Sequence, residues 1–210
     1  VNPEIQLVLK APTPGAVKTR LGREIGMERA CRIYRWLVER QCAALPPAWP
    51  ATVHYAPDDA EATMRGWLGD GFAYRPQAAG DLGARLSAAT ADAFERGAAA
   101  AILIGADCPT LGVADFERAR ELLGSPRDAV FGPAGDGGYY LLGLRRNEPS
   151  LFADVAWSTG GVLAQSRANA ERAGLTPRLL DEKEDIDDAA SLRRAVEAGH
   201  LPPAPGAPEV

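Results

Sequence analysis

Histidine and cysteine are scarce in this chain, which holds two of one and three of the other in 210 residues. With His54 and His200 alone, no zinc cluster can be assembled at the usual ligand spacing. Cys31, Cys42 and Cys108 are an odd and sparse set that fits reduced thiols rather than a disulfide framework. Cys31 and Cys42 fall on one expected helix, about 16 Å apart by the helical rise, too far to bridge. No apolar run approaches the ~20 residues that span a bilayer. The first residues also lack the charged-then-apolar order of a signal segment, so the chain is expected in the cytoplasm. Positive charge is not in excess: 23 Lys and Arg stand against 28 Asp and Glu, a net charge of −5, which argues against general affinity for nucleic acid or an anionic membrane. Neither GxxxxGK[ST] nor GxGxxG occurs, and no internal repeat is visible.

What is present is an ordinary globular composition, 46% apolar and 24% charged. The length suits one domain over residues 1–200, followed by a tail, 201–210, with four prolines. Apolar segments alternate with helical periodicity along the chain. Strands are expected at Ile5 to Leu9, Thr52 to Ala56, Phe72 to Arg75, Ala98 to Ile104, Ala129 to Phe131, Tyr139 to Leu144 and Arg178 to Leu180. Helices are expected at Met27 to Leu45, from a cap at Asp58 or Asp59 to Leu68, at Asp81 to Gly97 and Asp115 to Leu123, from Ser158 or Thr159 to Ala173, and at Asp188 to Ala198. The pattern specifies an α/β fold, a largely parallel sheet flanked by helices, with Ala98 to Ile104, the most apolar strand, at its centre.

Against this background one segment reverses the sign of charge. From Ile5 to Arg23 there is no acidic residue but four basic ones, Lys10, Lys18, Arg20 and Arg23. Pro12, Pro14 and Gly15 deny the segment regular structure and leave its amides free. An anionic ligand would use both amides and cations; an ordinary strand-to-helix connection with solvated lysines is the alternative. Asp107 follows the most buried strand in Gly105-Ala-Asp-Cys-Pro-Thr-Leu111, where a carboxylate can hold a divalent ion or merely close a turn. Gly135-Asp-Gly-Gly-Tyr-Tyr140 reads as a hairpin turn, or as a place where a ligand lies along glycine backbone with Asp136 facing it. Trp157-Ser-Thr-Gly-Gly161 offers Ser158 and Thr159 as caps of a glycine-rich helix start, with Trp157 read as a core residue. Residues 181–188 carry six carboxylates in eight positions, whose repulsion a cation would relieve, although Asp187 or Asp188 could equally cap the next helix. In an open α/β sheet the loops beyond the strands' carboxyl ends bind ligand, and these segments are expected to meet there.

Taken in order, Lys10-Ala-Pro-Thr-Pro-Gly-Ala-Val-Lys-Thr-Arg-Leu21, Gly105 to Leu111, Gly132-Pro-Ala-Gly-Asp-Gly-Gly-Tyr-Tyr140, Trp157-Ser-Thr159 and Asp185-Ile-Asp187 resemble the bacterial DUF2064 proteins of the glycosyltransferase-A, or nucleotide-diphospho-sugar transferase, superfamily. The resemblance runs from residue 5 to about 198. It implies a Rossmann-like mixed, mostly parallel sheet, a nucleotide over the first strands and a divalent metal, Mg²⁺ or Mn²⁺, on the aspartate after the central strand, matched by Asp107. In the related molybdenum-cofactor and 2-phospholactate guanylyltransferases and the sugar-acid cytidylyltransferases, a basic loop after the first strand handles the triphosphate. Lys18 and Arg20 match it, with Lys10, Pro14, Gly15 and Gly105 completing the nucleotide site. A late Ile-Asp-Thr segment of the cytidylyltransferases implies Asp187 as a second metal ligand, with Asp188 here in place of threonine. Asp136, Gly137, Gly138, Tyr139, Ser158 and Thr159 are the expected substrate contacts, and Lys18, Arg20 and Asp107 the expected catalytic groups. The expected reaction is metal-dependent nucleotidyl transfer from a nucleoside triphosphate to a small phosphorylated acceptor with release of pyrophosphate. A glycosyltransferase using a nucleotide-sugar is the alternative, and a non-catalytic nucleotide-binding module a third. No nucleic acid or membrane partner is expected, and the chain is expected to act as a monomer or homodimer.

Overall fold

The computed structural model describes residues 2–201, so all but the first residue of the proline-rich tail lies outside the described residues. Among these residues seven strands form one sheet: β1 (Glu4–Lys10), β2 (Ala51–Ala56), β3 (Ala73–Pro76), β4 (Ala101–Ile104), β5 (Asp128–Pro133), β6 (Tyr139–Leu144) and β7 (Thr176–Leu179). Their spatial order is β3-β2-β1-β4-β6-β5-β7, which puts β4 at the centre as expected. Only β6 runs against the rest, antiparallel to both β4 and β5. Six strands therefore end at one edge, and β6 begins there. The chain turns back on itself between β1 and β4, and a crevice opens at such a reversal, where loops leave the sheet in opposite directions.

Among the described residues there are seven α-helices, most of them packed on the sheet: α1 (Thr19–Ile25), α2 (Met27–Ala43), α3 (Glu61–Leu68), α4 (Leu82–Glu95), α5 (Val113–Leu122), α6 (Val162–Arg172) and α7 (Ala189–Glu197). Strand alternation assigns the two faces. Ile5, Leu7 and Leu9 of β1 pack with Tyr34 and Val38 of α2 and Phe116 of α5. On the opposite face Leu103, Phe131 and Leu142 pack with Leu86 and Ala89 of α4 and Ala170 of α6. A smaller cluster joins Leu21 of α1 and Leu37 of α2 to Leu192 of α7, with Ile186 fully buried inside it. Beneath α4 the sheet carries polar residues: Gln6, Thr52 and His54 are buried, and His54 Nε2 donates to Gln6 Oε1 at 2.7 Å.

Several boundaries differ from expectation for local reasons. The basic loop ends at Lys18, because residues from Thr19 onward already form α1, a short helix that Gly26 (φ 91°) separates from α2. Seven residues are too few for a visible helical period. α3 starts after Ala60, without a side-chain cap from Asp58 or Asp59. α6 starts at Val162 rather than at Ser158 or Thr159: Ser158 has φ 64°, outside the helical region, and Thr159 Oγ1 donates to the Ala156 carbonyl at 2.7 Å. Those hydroxyl residues form a turn, not a helix start.

Candidate active site

The expected convergence occurs. A cleft of about 740 Å³ lies beyond the carboxyl ends of β1 and β4. Its lining includes Lys10 at the end of β1, Lys18 and Arg20 from the first loop and α1, Gly105 and Asp107 after β4, Asp136, Gly138 and Tyr139 around the β5–β6 turn, Ser158 and Thr159 from the turn before α6, and Asp187. That volume is within the range of small-molecule sites. Pro14, Gly15 and Gly137, expected at the site, do not line it.

The glycine-rich turn explains the last of these. Gly137 has φ 86°, and a Cβ there would stand 2.2 Å from the backbone oxygen of Gly160. Its carbonyl accepts from the Leu163 amide at 2.9 Å. The missing side chain at Gly137 thus admits another stretch of backbone rather than a ligand, and it fixes the 157–161 turn against the hairpin. Asp136 Oδ1 accepts from the Gly138 amide at 2.8 Å, which orients the carboxylate. Pro14 and Gly15 are exposed, with Gly15 at φ 81°, so they shape the loop from its outer side.

The acid run divides into three roles that its composition does not reveal. Asp181, Glu182 and Glu184 face solvent. Lys183 anchors the run: its amide donates to the Pro133 carbonyl at 3.0 Å and its Nζ lies 3.2 Å from Asp115 Oδ1. Asp188, not Asp187, caps α7, with its carboxylate accepting from the Ser191 amide at 2.8 Å. Between them Ile186 is buried and its amide donates to the Asp107 carbonyl at 2.9 Å. An inward Ile186 leaves the flanking Asp185 and Asp187 on the cleft side, where both line it. Alternation about one apolar residue was the signal that could have placed Asp185 in the cleft lining.

Electrostatics centre on Lys18. Its side chain is only 5% exposed, and its Nζ lies 2.6 Å from Asp107 Oδ1 and 3.2 Å from Asp187 Oδ1. It also donates to the Ile186 carbonyl. Burial pulls the ammonium pKa down, but Asp107 and then Asp187 outweigh it and hold Lys18 above the ordinary lysine value. Burial, followed by repulsion from Asp107, pushes the Asp185 carboxyl up to about 8. Arg20 lies on the open side, 68% exposed and 4.0 Å from Asp187 Oδ2. Lys10 stands at the end of β1, where Tyr34 accepts from its amide at 2.9 Å and donates to its carbonyl at 2.8 Å.

Sequence reading missed the apolar half of the cleft. Val8, Leu82, Leu86, Leu103, Trp157 and Val162 line it, and Leu82 is 43% exposed. Trp157, expected in the core, packs its indole edge on Gly83, where a Cβ would meet Nε1 at 2.5 Å. These residues come from four separate segments, so only the folded chain shows that they face one space.

Residues 40–159 match the family described as an uncharacterized protein conserved in bacteria, DUF2064. The chain belongs to the DUF2064 family. No curated protein matches it in sequence. Among solved structures, a Desulfovibrio desulfuricans G20 protein provisionally named a nucleotide-diphospho-sugar transferase is 30% identical, with TM-score 0.86 over 95% of this chain and 88% of that one. A nucleotidyl transferase from Methanothermobacter thermautotroptrophicus is 15% identical, with TM-score 0.58 over 94% and 97% of the two chains. Rv0371c from Mycobacterium tuberculosis H37Rv, solved in complex with manganese, is 19% identical, with TM-score 0.53 over 94% and 100%. The last two share the fold with this DUF2064 chain. The α/β architecture, a mixed and mostly parallel sheet, is that of the nucleotide-diphospho-sugar transferases.

The cleft's donors suit a hard divalent cation in part. Among the described residues no group of three or more His, Cys, Asp or Glu side chains is arranged to hold a metal by itself. Asp107 and Asp187 nevertheless converge on one point, now taken by the Lys18 ammonium, and Asp185 Oδ1 is buried with no hydrogen-bond partner. An all-carboxylate donor set with few protein ligands fits Mg²⁺ or Mn²⁺, which complete their shells with water and phosphate oxygens. Among the described residues no helix is long and apolar enough to cross a membrane.

Proposed function

We propose that this protein is a metal-dependent transferase that draws on a nucleotide donor, with a nucleoside diphosphate-sugar as that donor and a small molecule as acceptor. One observation carries the reading: at the sheet's reversal point a single cleft sets three cations, Lys10, Lys18 and Arg20, against three carboxylates, Asp107, Asp136 and Asp187, with the Asp185 carboxyl beside them. A polyanionic donor entering such a cleft needs a cation that the chain does not supply. Asp107 and Asp187 would hold that ion, with Asp185 beside them. When bound, it would supply Lewis-acid neutralisation of the donor's phosphate oxygens.

The chain's own residues do the rest by position and charge. Lys10 and Arg20 attract the phosphates from the two ends of the first loop, and stabilise the charge that grows on the departing nucleoside diphosphate. The apolar half, walled by Trp157, Leu82 and Leu86, shields a ring of the donor from water. Asp136 has one oxygen fixed by the Gly138 amide and, among the described residues, no hydrogen bond to the other. That oxygen is placed to accept from an acceptor hydroxyl and hold it in line.

The preference for a diphosphate-sugar over a triphosphate is supported by the Desulfovibrio desulfuricans G20 protein, 30% identical over 95% of this chain and provisionally named a nucleotide-diphospho-sugar transferase, and by the apolar half of the cleft, which suits a ring beyond the phosphates. Nucleotidyl transfer from a triphosphate is the second reading. The open position of Arg20, where a further phosphate could reach it, favours it.

The released product decides between them. Purified protein with Mg²⁺ or Mn²⁺ and panels of nucleotide-sugars and nucleoside triphosphates is expected to liberate a nucleoside diphosphate from a nucleotide-sugar. Liberation of pyrophosphate from a triphosphate would establish the second reading. Metal-dependent binding with no turnover would leave a nucleotide-binding module.

A further inference from the structure

Lys18 occupies a position that its sequence neighbours do not explain. A lysine ammonium has three N–H donors, and here three acceptors surround it: Asp107 Oδ1 at 2.6 Å, Asp187 Oδ1 at 3.2 Å and the Ile186 carbonyl. While it stays there it has no donor left for a phosphate. Both carboxylates also reach the cleft, with side chains 44% and 38% exposed. The ammonium therefore sits at the place where those two carboxylates would grip a divalent cation, and the two positive groups exclude one another.

The backbone at Lys18 is equally unusual. It has φ 47° and ψ 43°, left-handed for a residue with a side chain, immediately before α1. Among the described residues only Asp154 and Ser158 share a positive φ without being glycine. Lys18 is the N-cap of α1, its carbonyl accepting from the Gly22 amide at 2.8 Å, and from this backbone its side chain turns inward onto Asp107, Asp187 and Ile186. Rotation of the side chain alone would suffice to carry the ammonium toward the open side of the cleft, where Arg20 stands.

We propose that Lys18 is a built-in counter-cation that makes divalent-metal binding conditional on the donor nucleotide. In the free protein it neutralises Asp107 and Asp187 and keeps the metal out. When donor phosphates arrive they offer the ammonium another partner, Lys18 leaves the carboxylates, and the metal enters between them. Metal and nucleotide then strengthen each other's binding by the same factor, since such coupling is reciprocal. The inference rests on the reading of the cleft as a metal–nucleotide site, and it adds the residue that orders the two.

The test is Mn²⁺ binding, followed by the loss of the free-ion electron paramagnetic resonance signal and corrected for Mn²⁺–nucleotide complexes. Wild type, Lys18→Met and Lys18→Arg are compared, alone and with ADP, GDP, CDP or UDP. Lys18→Met is expected to bind Mn²⁺ alone at least tenfold tighter than wild type. The diphosphate that binds is expected to tighten Mn²⁺ at least tenfold in wild type and less than threefold in Lys18→Met, with Lys18→Arg resembling wild type. A Lys18→Met protein that binds Mn²⁺ alone no tighter than wild type overturns the proposal. If no diphosphate binds wild type, the nucleotide reading fails, while the metal-only comparison still judges Lys18. Should Lys18→Met not fold, as checked by circular dichroism, the ammonium ¹⁵N signal of Lys18 in wild type replaces it. That signal is expected to survive Mg²⁺ alone and to change when nucleotide and Mg²⁺ are both present; an unchanged signal with both overturns the proposal.

Discussion

Asp187 and Asp188 are neighbours of the same chemistry, and the fold gives them unrelated tasks. Asp188 closes the first turn of α7, so Asp188→Ala is expected to lower stability by about 1 kcal/mol and leave nucleotide binding unchanged. Asp187→Ala should do the reverse, with a melting temperature near wild type and a loss of metal-dependent nucleotide binding. Denaturant unfolding and a binding titration on both variants check the pair, and a swapped result would reverse the roles. Asp107 shows the same dependence on context: its carboxylate faces the cleft, while its backbone carbonyl holds Ile186 in place. Asp107→Asn keeps the carbonyl and the shape and is expected to reduce turnover by about a hundredfold or more. Near-normal turnover would remove Asp107 from the site.

At the scale of elements, the site depends on two connections meeting above the sheet. The β5–β6 turn and the turn before α6 touch through Gly137 and Gly160, with no room for a side chain between them. Gly137→Ala would place a methyl against the Gly160 backbone and force a positive φ on alanine. It is expected to destabilise the protein by about 1–3 kcal/mol and to weaken acceptor binding by displacing Ser158 and Thr159. Unfolding in urea together with acceptor KM measures both effects. Element types were largely legible in the sequence, because strand and helix periods are local properties. The short α1 and the true start of α6 were not, since the first is briefer than a readable period and the second depends on a left-handed Ser158. The acid run carried its signal in one residue, Ile186, whose burial among α1, α2 and α7 turns Asp185 and Asp187 toward the cleft.

For the molecule as a whole, stability and ligand binding are expected to depend on pH and metal in defined directions. Burial, aided by Arg96, lowers the His54 pKa from 6.5 to about 4, so the imidazole is neutral in the folded protein at neutral pH. A base with a depressed folded pKa binds its proton more readily in the unfolded chain. Its contribution is therefore complete above pH 6.5 and is lost as pH falls toward 4, by up to about 3 kcal/mol. Subtracting the urea stability of His54→Gln from that of wild type at pH 5 and pH 7.5 isolates this part; a difference independent of pH would refute it. A nucleotide-sugar at a hundred times its Kd should stabilise the protein by about 2.7 kcal/mol, seen as a thermal shift that EDTA abolishes.

The order of strands and helices, the basic loop, the aspartate after the central strand and the acid run are all properties of neighbouring residues, and the sequence by itself determined them. It also determined that these segments would gather at one edge, because parallel strands joined by helices leave their connections there. Only the tertiary structure decided which charges remain available. The loop's four cations look alike along the chain, yet Lys18 is turned inward onto Asp107 and Asp187, residues 89 and 169 positions away, and Arg20 is not. Such pairing depends on distances across the fold rather than along the chain, and so it is absent from any local pattern. The same holds for the apolar half of the cleft, where Trp157 meets Gly83 only because α4 and the turn before α6 are brought together over one face of the sheet.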